Sequence, residues 1–424
     1  MKKRVLSILL LLALMLSASA CASVFEAEYS YSAPYSDNVE EEEQASGTEV
    51  KNYTQLKNVL STLVNTLSTQ AELRFSNYDG SVSEDMAAAC YEVKTQTPMG
   101  AYAVESLDYE LSRIVSYYTA EVTVEYKRSR EEVAQVVTIN GISSLEGYLQ
   151  RAVCSYEREL TLKIYSSTVN EEYIGDVVSG VPLSEPLMVT SAPQTLVTAY
   201  PSEGINRIYE IVLDYGMDDE TIRERSALLT EQVQLLCAPL EEESPGLLAL
   251  QCARVISGLC QVLPSGPEVD STAYGALVEH ASDSLGMALA YMAMCRQLGL
   301  ECLTVRGSLG TLGAESHYWN LLCLDGAYYH VDVSRMREAG EENVFLLSDE
   351  QAWGTYMWSY EDYPDCAGSL SYYDLVGRPE AETASGNAAG EEAAPETTPP
   401  QEEVPAEEEN LTGDGDAEKI ENNP

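Results

Sequence analysis

The sequence predicts an α+β protein in which two copies of a small α+β module precede a larger α+β domain, with an acidic segment on each side. Three observations lead to this. A pattern of helix and strand recurs after 89 residues, one long apolar helix is followed by alternating strands, and both flanks are acidic and of low complexity. The length of 424 residues allows two or three domains with ample core.

The first residues read as an export signal. Met1-Lys2-Lys3-Arg4 is basic, and the apolar run from Val5 to Leu16 is too short to span a membrane. The run leads into Ala18-Ser19-Ala20-Cys21, which resembles the lipobox of bacterial lipoproteins. The resemblance implies a signal peptide over 1–20, a lipid on Cys21 and an extracytoplasmic protein anchored to the bacterial cell membrane. An ordinary signal peptide cut near Ala20 is the alternative.

Acidic flanks are predicted over residues 21–50 and 376–424. Residues 22–50 contain eight acidic and no basic side chains, and the tail is rich in Glu, Ala, Pro and Thr. Such composition cannot bury a core, so we expect a disordered tether and a disordered tail. A tail that binds cations or a wall polymer is the alternative. The net charge of −45 argues against nucleic acid and anionic lipid as partners.

The two modules are predicted at 51–139 and 140–217. An apolar helical stripe in the first module recurs in the second, and so do the alternating strands that follow it. The first stripe contains Tyr53, Leu56, Val59, Leu60, Leu63 and Val64, and the second contains Leu145, Tyr148, Leu149, Ala152 and Val153. Each copy reads as helix, strand, helix and two strands, and packing of most Tyr residues is the interpretation over sugar binding.

The last domain is predicted at 218–375. It opens with two helices, near 218–237 and 245–262, the second begun by Pro245. A further helix then begins at Ser284 with Ser282 or Asp283 as its cap, and Gly299 closes it.

Two strands after this helix should form a hairpin around Asp325-Gly326. With that turn, Leu324 faces Ala327 and Trp319 faces Asp332. His317 then lies on the face of Trp319, diagonal to Asp332, where a carboxylate can fix the imidazole tautomer.

These motifs resemble the bacterial transglutaminase-like core, a family with a papain-like fold and a Cys-His-Asp triad. The segments that carry the resemblance are Thr272–Val278, the helix from Ser284, His317–Asn320, His330–Ser334, Phe345–Glu350 and Tyr363-Pro364. The resemblance spans roughly residues 215 to 370 and implies a papain-like transglutaminase core. His317 and Asp332 match two triad members, whereas Ser284 stands at the position of the nucleophilic Cys.

The remaining residues add no further chemistry. Trp319 and Tyr274 are predicted beside the pocket. No cofactor is expected, and with three His and no zinc-like Cys spacing a metal site is not expected either. Cys252, Cys295 and Cys302 lie in apolar settings and should be buried.

Two functions follow from Ser284, His317 and Asp332. A serine hydroxyl cannot form the resting thiolate–imidazolium pair of papain-like sites, which predicts a degenerate pseudoenzyme acting in peptide or cell-wall binding or protein interaction. The alternative is a serine-dependent acyl-transfer enzyme, a peptidase, amidase or transglutaminase-like enzyme, with the same three residues as its triad.

Overall fold

The computed structural model describes residues 47–241, 244–310 and 316–378, and these form a mixed α+β fold. The predicted signal peptide, Cys21, the predicted tether up to residue 46 and the tail from residue 379 lie outside the described residues. None of the helices within the described ranges combines the length and the apolar character that a membrane span requires.

The first sheet has four strands in the order β1-β2-β4-β3. Its elements are β1 Thr48–Glu49, α1 Tyr53–Asn65, β2 Gln70–Phe75, α2 Val82–Gln96, α3 Pro98–Ala103, β3 Val104–Ile114 and β4 Tyr117–Tyr126. Strand β2 alternates exposed and buried residues, so that Ala71, Leu73 and Phe75 face the helices. Strand β1 pairs with β2 in parallel, and the other pairs are antiparallel.

The second sheet has four strands in the order β5-β6-β8-β7, with the same pairing directions. Its elements are α4 Arg130–Ala134, β5 Val137–Ile139, α5 Ile142–Cys154, β6 Glu159–Tyr165, α6 Glu171–Ser184, β7 Gln194–Tyr200 and β8 Asn206–Asp214. The shared strand order is a finding, whereas the origin of the two sheets by duplication stays a prediction.

Both sheets begin with a strand that the sequence patterns do not show. Strand β1 and Val50, which is fully buried, fall in the range 21–50 predicted as tether. Strand β5 falls in the range 51–139 predicted for the first module, yet it pairs with the second sheet. The reason is length, because strands of two and three residues are too short to display an alternating pattern.

The third sheet belongs to the last domain and has five antiparallel strands in the order β14-β13-β12-β11-β15. These are β11 Cys302–Leu309, β12 Ser316–Leu324, β13 Ala327–Val331, β14 Phe345–Leu347 and β15 Tyr356–Trp358. A two-stranded sheet joins β9 Gln261–Val262 and β10 Ala281–Ser282. The α-helices are α7 Asp219–Cys237, α8 Pro245–Leu259, α9 Ala273–Leu277, α10 Ser284–Gln297, α11 Met336–Ala339, α12 Asp349–Ala352 and α13 Tyr372–Val376. The 3₁₀ turns are Val333–Arg335, Glu341–Asn343 and Tyr360–Asp362.

Helix α10 is the centre of the last domain. Every residue from Gly286 to Cys295 is buried, as expected for a helix that is apolar on all sides and covered by neighbours throughout. Helices α7, α8 and α9 and the strands β11 and β12 pack around it. This packing fixes the first residue of the helix, Ser284, against the sheet.

The apolar core has two large parts. One is formed by the first sheet and its helices and contains Leu56, Leu73 and Val122. The other is continuous from the second sheet into the last domain, from Ile139 to Leu346. A small cluster around Tyr102 and Ile208 lies between them.

Candidate functional site

Helix α10 begins at Ser284 and is capped by a carboxylate. Asp283 Oδ1 accepts the N–H groups of Leu285 at 3.1 Å and Gly286 at 3.2 Å. Asp283 Oδ2 accepts the hydroxyl of Ser271 at 2.9 Å, and the side chain is 3% exposed. The buried carboxylate of Asp283 is therefore hydrogen-bonded to amides at the positive end of the helix dipole. Asp283 immediately precedes Ser284, the predicted nucleophile position.

A glycine allows the helix start to lie close to its neighbours. A Cβ on Gly286 would lie 1.9 Å from Ser282 Oγ and 2.7 Å from the carbonyl oxygen of Thr272. Only glycine fits here, so the packing of α10 against the segment before α9 fixes where Ser284 stands.

His317 and Asp332 form the predicted pair. His317 Nε2 lies 2.7 Å from Asp332 Oδ2, and the two residues are 8% and 2% exposed. Asp332 also accepts hydrogen bonds from the hydroxyls of Ser334 at 2.7 Å and Tyr356 at 3.0 Å, and from the N–H of Arg335 at 3.3 Å. An ionised carboxylate only accepts, so His317 Nε2 carries the proton and Nδ1 carries the lone pair.

Ser284 contacts strand β12, which contains His317, through a hydrogen bond from a backbone N–H group. Ser284 Oγ accepts the N–H of Tyr318 at 3.2 Å. Within the described residues no hydrogen bond joins Ser284 Oγ to the His317 ring. The structure thus brings Ser284, His317 and Asp332 together but leaves the serine hydroxyl proton and the His317 Nδ1 lone pair without a bond to each other.

Two residues that support Asp332 escaped the sequence analysis. Tyr356, on the edge strand β15, donates to Asp332, and Arg335 Nη1 donates to the Tyr356 hydroxyl at 3.1 Å. Burial raises the pKa of Tyr356 far above its ordinary value, and the charge of Asp332 raises it further. Tyr356 therefore stays a neutral donor. The only sequence signal for it was its position in the closing segment before Tyr363-Pro364.

Asn320 ties the helix to the sheet. Its side-chain amide donates to the carbonyls of Ala288 at 3.0 Å and Leu303 at 3.2 Å, and the residue is fully buried. These two bonds hold α10 against β11 and β12 and so fix Ser284 relative to His317.

A second histidine forms its own pair. His330 Nε2 lies 2.9 Å from Asp349 Oδ1, and the indole N–H of Trp319 donates to His330 Nδ1 at 2.8 Å. Burial lowers the pKa of His330, while the hydrogen bond to Asp349 opposes this. His330 is thus a neutral imidazole whose two nitrogens both have partners.

His330, Asp349 and Cys366 place three ligand atoms within 4.8 Å of one another. The position of the proton on the His330 ring is incompatible with binding of a metal ion. Trp319 requires the lone pair on His330 Nδ1, so the proton lies on Nε2, the nitrogen that would have to bind the ion. Binding there would require an imidazolate. The cluster is better explained as a hydrogen-bonded core, in which the N–H of Cys366 donates to Asp349 Oδ2 at 2.8 Å.

The residues predicted beside the pocket are both buried. Trp319 is 1% exposed and packs against His317 and Tyr356. Tyr274 is 9% exposed, and the guanidinium of Arg225 lies 4.2 Å from its ring centroid. Cys295 is fully buried near the far end of α10 and is not part of the site.

Comparisons with known proteins give distant likenesses in structure alone. No family model and no curated protein matches the chain. A candidate cysteine protease from Cytophaga hutchinsonii matches with a TM-score of 0.23 and 13% identity, over 34% of this chain and 62% of that protein. A TGase matches with a TM-score of 0.24 and 9% identity, over 50% of this chain and 60% of that protein.

A candidate protease from Parabacteroides distasonis matches with a TM-score of 0.20 and 9% identity, over 64% of this chain and 42% of that protein. The chain therefore spans about three fifths of the length of the first two proteins. These three TM-scores are all below 0.5, so function is inferred from the residues of this chain.

Proposed function

We propose that this chain is an exported cell-surface lipoprotein whose transglutaminase-like site binds a peptide or wall fragment without turning it over. The observation that carries the proposal is the pair at the start of α10: the buried carboxylate of Asp283 caps the turn that begins with Ser284, the residue at the position where the sequence resemblance implies the family's nucleophilic Cys.

The first difficulty for catalysis is the hydroxyl of Ser284. A thiol near a helix N-terminus and a histidine ionises readily, whereas a serine must lose its proton during the attack. That requires the hydroxyl to donate to the base, and Ser284 Oγ has no hydrogen bond to the His317 ring within the described residues. Replacing the nucleophile of such a site removes most of the rate.

The second difficulty is the charge of Asp283. Acyl transfer develops negative charge at the nucleophile and at the carbonyl oxygen, and free helix amides would stabilise it. Here the amides of Leu285 and Gly286 already bind the Asp283 carboxylate. The anion adds repulsion where a transition state would gain charge, so two neighbouring residues both oppose catalysis.

The remaining groups suit binding of an amide. The Ser284 hydroxyl can donate to a peptide carbonyl, and His317 Nδ1 can accept a peptide N–H. Asp332 holds His317 in that tautomer through a 2.7 Å bond. A donor and an acceptor supported in this way recognise a peptide bond while leaving it intact.

A serine-dependent acyl-transfer enzyme is the second candidate. The observation that favours it is the His317–Asp332 pair, whose lone pair on Nδ1 is that of a general base. Base catalysis would additionally need a hydrogen bond from the Ser284 hydroxyl to His317 Nδ1.

Fluorophosphonate labelling of the full-length chain with peptide mapping separates the two. No adduct on Ser284 in a folded protein is the expected result. An adduct that disappears in both Ser284→Ala and His317→Ala would instead establish the acyl-transfer enzyme.

Matched variants then test the reason for inactivity. In Ser284→Cys a weakly reactive thiol is expected, because Asp283 still caps the helix. When Ser284→Cys is combined with Asp283→Asn, iodoacetamide should react with the introduced thiol about ten-fold faster, since the anion beside it is gone. Equal rates in the two variants would contradict the role given to Asp283.

Export and anchoring rest on the leader that precedes Cys21. Mass spectrometry of the N-terminal peptide from membrane-extracted protein should show an acylated Cys21. An unmodified N-terminus would reject the anchor but would leave the proposal for Ser284 untouched.

A further inference from the structure

All three tryptophans of the chain lie in one run of aromatic rings beside His317. Ring centroids are 6.1 Å apart from His317 to Trp319 and 6.0 Å from Trp319 to Trp358. The run continues from Trp358 to Tyr360, whose ring centroids are 4.4 Å apart, and from Tyr360 to Trp353, at 5.9 Å. We call Trp353, Trp358 and Tyr360 the aromatic shelf.

The shelf opens outward from a buried base. Trp319 is 1% exposed, whereas Tyr360 is 42% and Trp353 is 69% exposed. Met357, which precedes Trp358 on the edge strand β15, is 46% exposed. Folding alone does not require large rings to gather in water, and such clusters mark binding surfaces.

A groove of about 460 Å³ runs beside the shelf and adds polar groups to it. Its lining includes Arg306, Ser308, Trp358, Ser359, Asp362 and Tyr363. Tyr363 is held in place because its hydroxyl accepts the N–H of Arg306 at 3.0 Å. Neither the guanidinium of Arg306 nor the carboxylate of Asp362 has an ion-pair partner within residues 47–241, 244–310 and 316–378.

This combination matches the two surfaces of a pyranose ring. The flat C–H face of an equatorially substituted sugar packs on an aromatic ring, and its edge of hydroxyls accepts hydrogen bonds from a guanidinium and donates them to a carboxylate. Three rings in a row suit several sugars in a chain. The net charge of −45 repels a polyanion and therefore favours a neutral chain.

An extended peptide is the weaker candidate for this surface. Peptides commonly add to an exposed strand edge through main-chain hydrogen bonds. At the edge strand β15 that position is partly taken, because Trp353 forms a β-bridge with Tyr356. The groups left open are side-chain rings and charges rather than main-chain groups.

We propose that the aromatic shelf and the adjoining groove bind a neutral chain of equatorially linked pyranoses. Gly307 pairs with His317 on one side and with Trp358 on the other, so the groove lies one strand away from the His317 site. The shelf contains neither Ser284 nor His317, and the proposal stands whether or not Ser284 is reactive.

Isothermal titration of the full-length chain with chitohexaose and with cellohexaose tests this binding. Saturable binding of either sugar is expected, with a shift of tryptophan emission, since every tryptophan lies in the run. Trp353→Ala and Tyr360→Ala should each weaken binding about ten-fold. Tyr91→Ala, which alters a 64% exposed ring on α2, should leave the affinity unchanged.

Absence of binding to both sugars would overturn the proposal. So would affinities of folded Trp353→Ala and Tyr360→Ala that both stay within two-fold of the unaltered chain. Binding of hexa-alanine at the shelf, lost in the same two variants and without binding of either sugar, would assign the surface to a peptide and also overturn it. Circular dichroism of each variant identifies any that fails to fold.

Discussion

Asp332 is the residue on which the geometry of the site depends. Four donors converge on its two oxygens, from His317, Ser334, Arg335 and Tyr356, and it is 2% exposed. A carboxylate can accept all four, whereas an amide presents two hydrogens to donors that also carry hydrogens.

Asp332→Asn should therefore lower the free energy of unfolding by roughly 3 kcal/mol, because bonds to a charged acceptor are lost and buried donors lose their partner. Urea denaturation followed by circular dichroism measures this. Asp365→Asn, at an exposed carboxylate, is the control and should change stability by less than about 0.5 kcal/mol. A loss for Asp332→Asn as small as that of the control would contradict the network.

His330 makes stability depend on pH. Burial lowers its pKa below the ordinary value of 6.5, so between the two pKa values the unfolded chain binds more protons than the folded one. The stabilisation is complete above pH 6.5 and is lost as the pH falls from there towards the folded pKa. Unfolding free energies at about pH 7.5, 6.5 and 5.5 should therefore decrease in that order.

His330→Gln should flatten this dependence, although it lowers stability at every pH because Trp319 loses its acceptor. The carboxylates whose pKa is lowered, among them Glu92 and Glu341, lose their contribution only as the pH falls through 4.5 and below. The chosen pH range thus isolates histidine. An unchanged slope in the variant would show that another group titrates there.

Among the elements, the hairpin was the most predictable. Asp325 and Gly326 have φ angles of 52° and 82°, as their turn requires, and Leu324 pairs with Ala327 as the sequence predicts. That register alone brings His317 towards Asp332. The start of helix α10 was also predictable from local sequence. The predicted caps were Ser282 or Asp283, and the structure has Asp283 as the cap.

The edge strand β15 could not be predicted in the same way. It pairs with β11 rather than with a sequence neighbour, and it brings Tyr356 to Asp332 and Trp358 to Gly307. Periodicity reports which face of a strand is buried but not which distant strand it joins. The aromatic shelf and the bond from Tyr356 to Asp332 were therefore invisible in the sequence, although every one of these aromatic residues is an ordinary Trp or Tyr.

Gly307 controls how closely β15 and Trp319 approach β11. A Cβ there would lie 2.2 Å from the carbonyl oxygen of Met357 and 2.5 Å from Trp319 Cη2. Gly307→Ala should therefore lower the free energy of unfolding by about 1–3 kcal/mol, because backbone and a buried ring must move. It should also weaken binding of sugar at the shelf. Urea denaturation and titration with chitohexaose measure the two effects.

Gly258→Ala is the matched control for that substitution. Gly258 lies on α8 with open space around the position of a Cβ, so alanine should raise stability by about 0.5–1 kcal/mol through its helix propensity. The two glycines thus predict changes of opposite sign. A stable Gly307→Ala protein with unaltered sugar binding would show that the edge strand is more pliable than its packing indicates.

At the scale of the whole molecule, the division of the core predicts how the protein unfolds. The nine cysteines of the described residues are free thiols, and seven of them are buried. Cys90 belongs to the core of the first sheet, whereas Cys252 and Cys295 belong to the core shared by the second sheet and the last domain. Burial raises the pKa of Cys90 to about 12, so in the folded protein its thiol is both covered and protonated.

Between these cores lie few contacts, chiefly the cluster of Tyr102, Ala103 and Ile208 and the ion pair of Arg128 with Glu210 at 2.7 Å. The first sheet should therefore open at a lower urea concentration than the rest, because little apolar surface joins the two cores.

Pulsed iodoacetamide labelling with peptide mapping across a urea series should modify Cys90 before Cys295. Cys154, the last residue of helix α5, should be labelled over the same urea range as Cys295, since both pack on the same core. Ile208→Ala, which weakens the cluster between the cores, should move the labelling of Cys90 to still lower urea and separate it further from that of Cys295. Coincident labelling of all three thiols would mean instead that this small cluster is enough to make the described residues unfold as one cooperative unit.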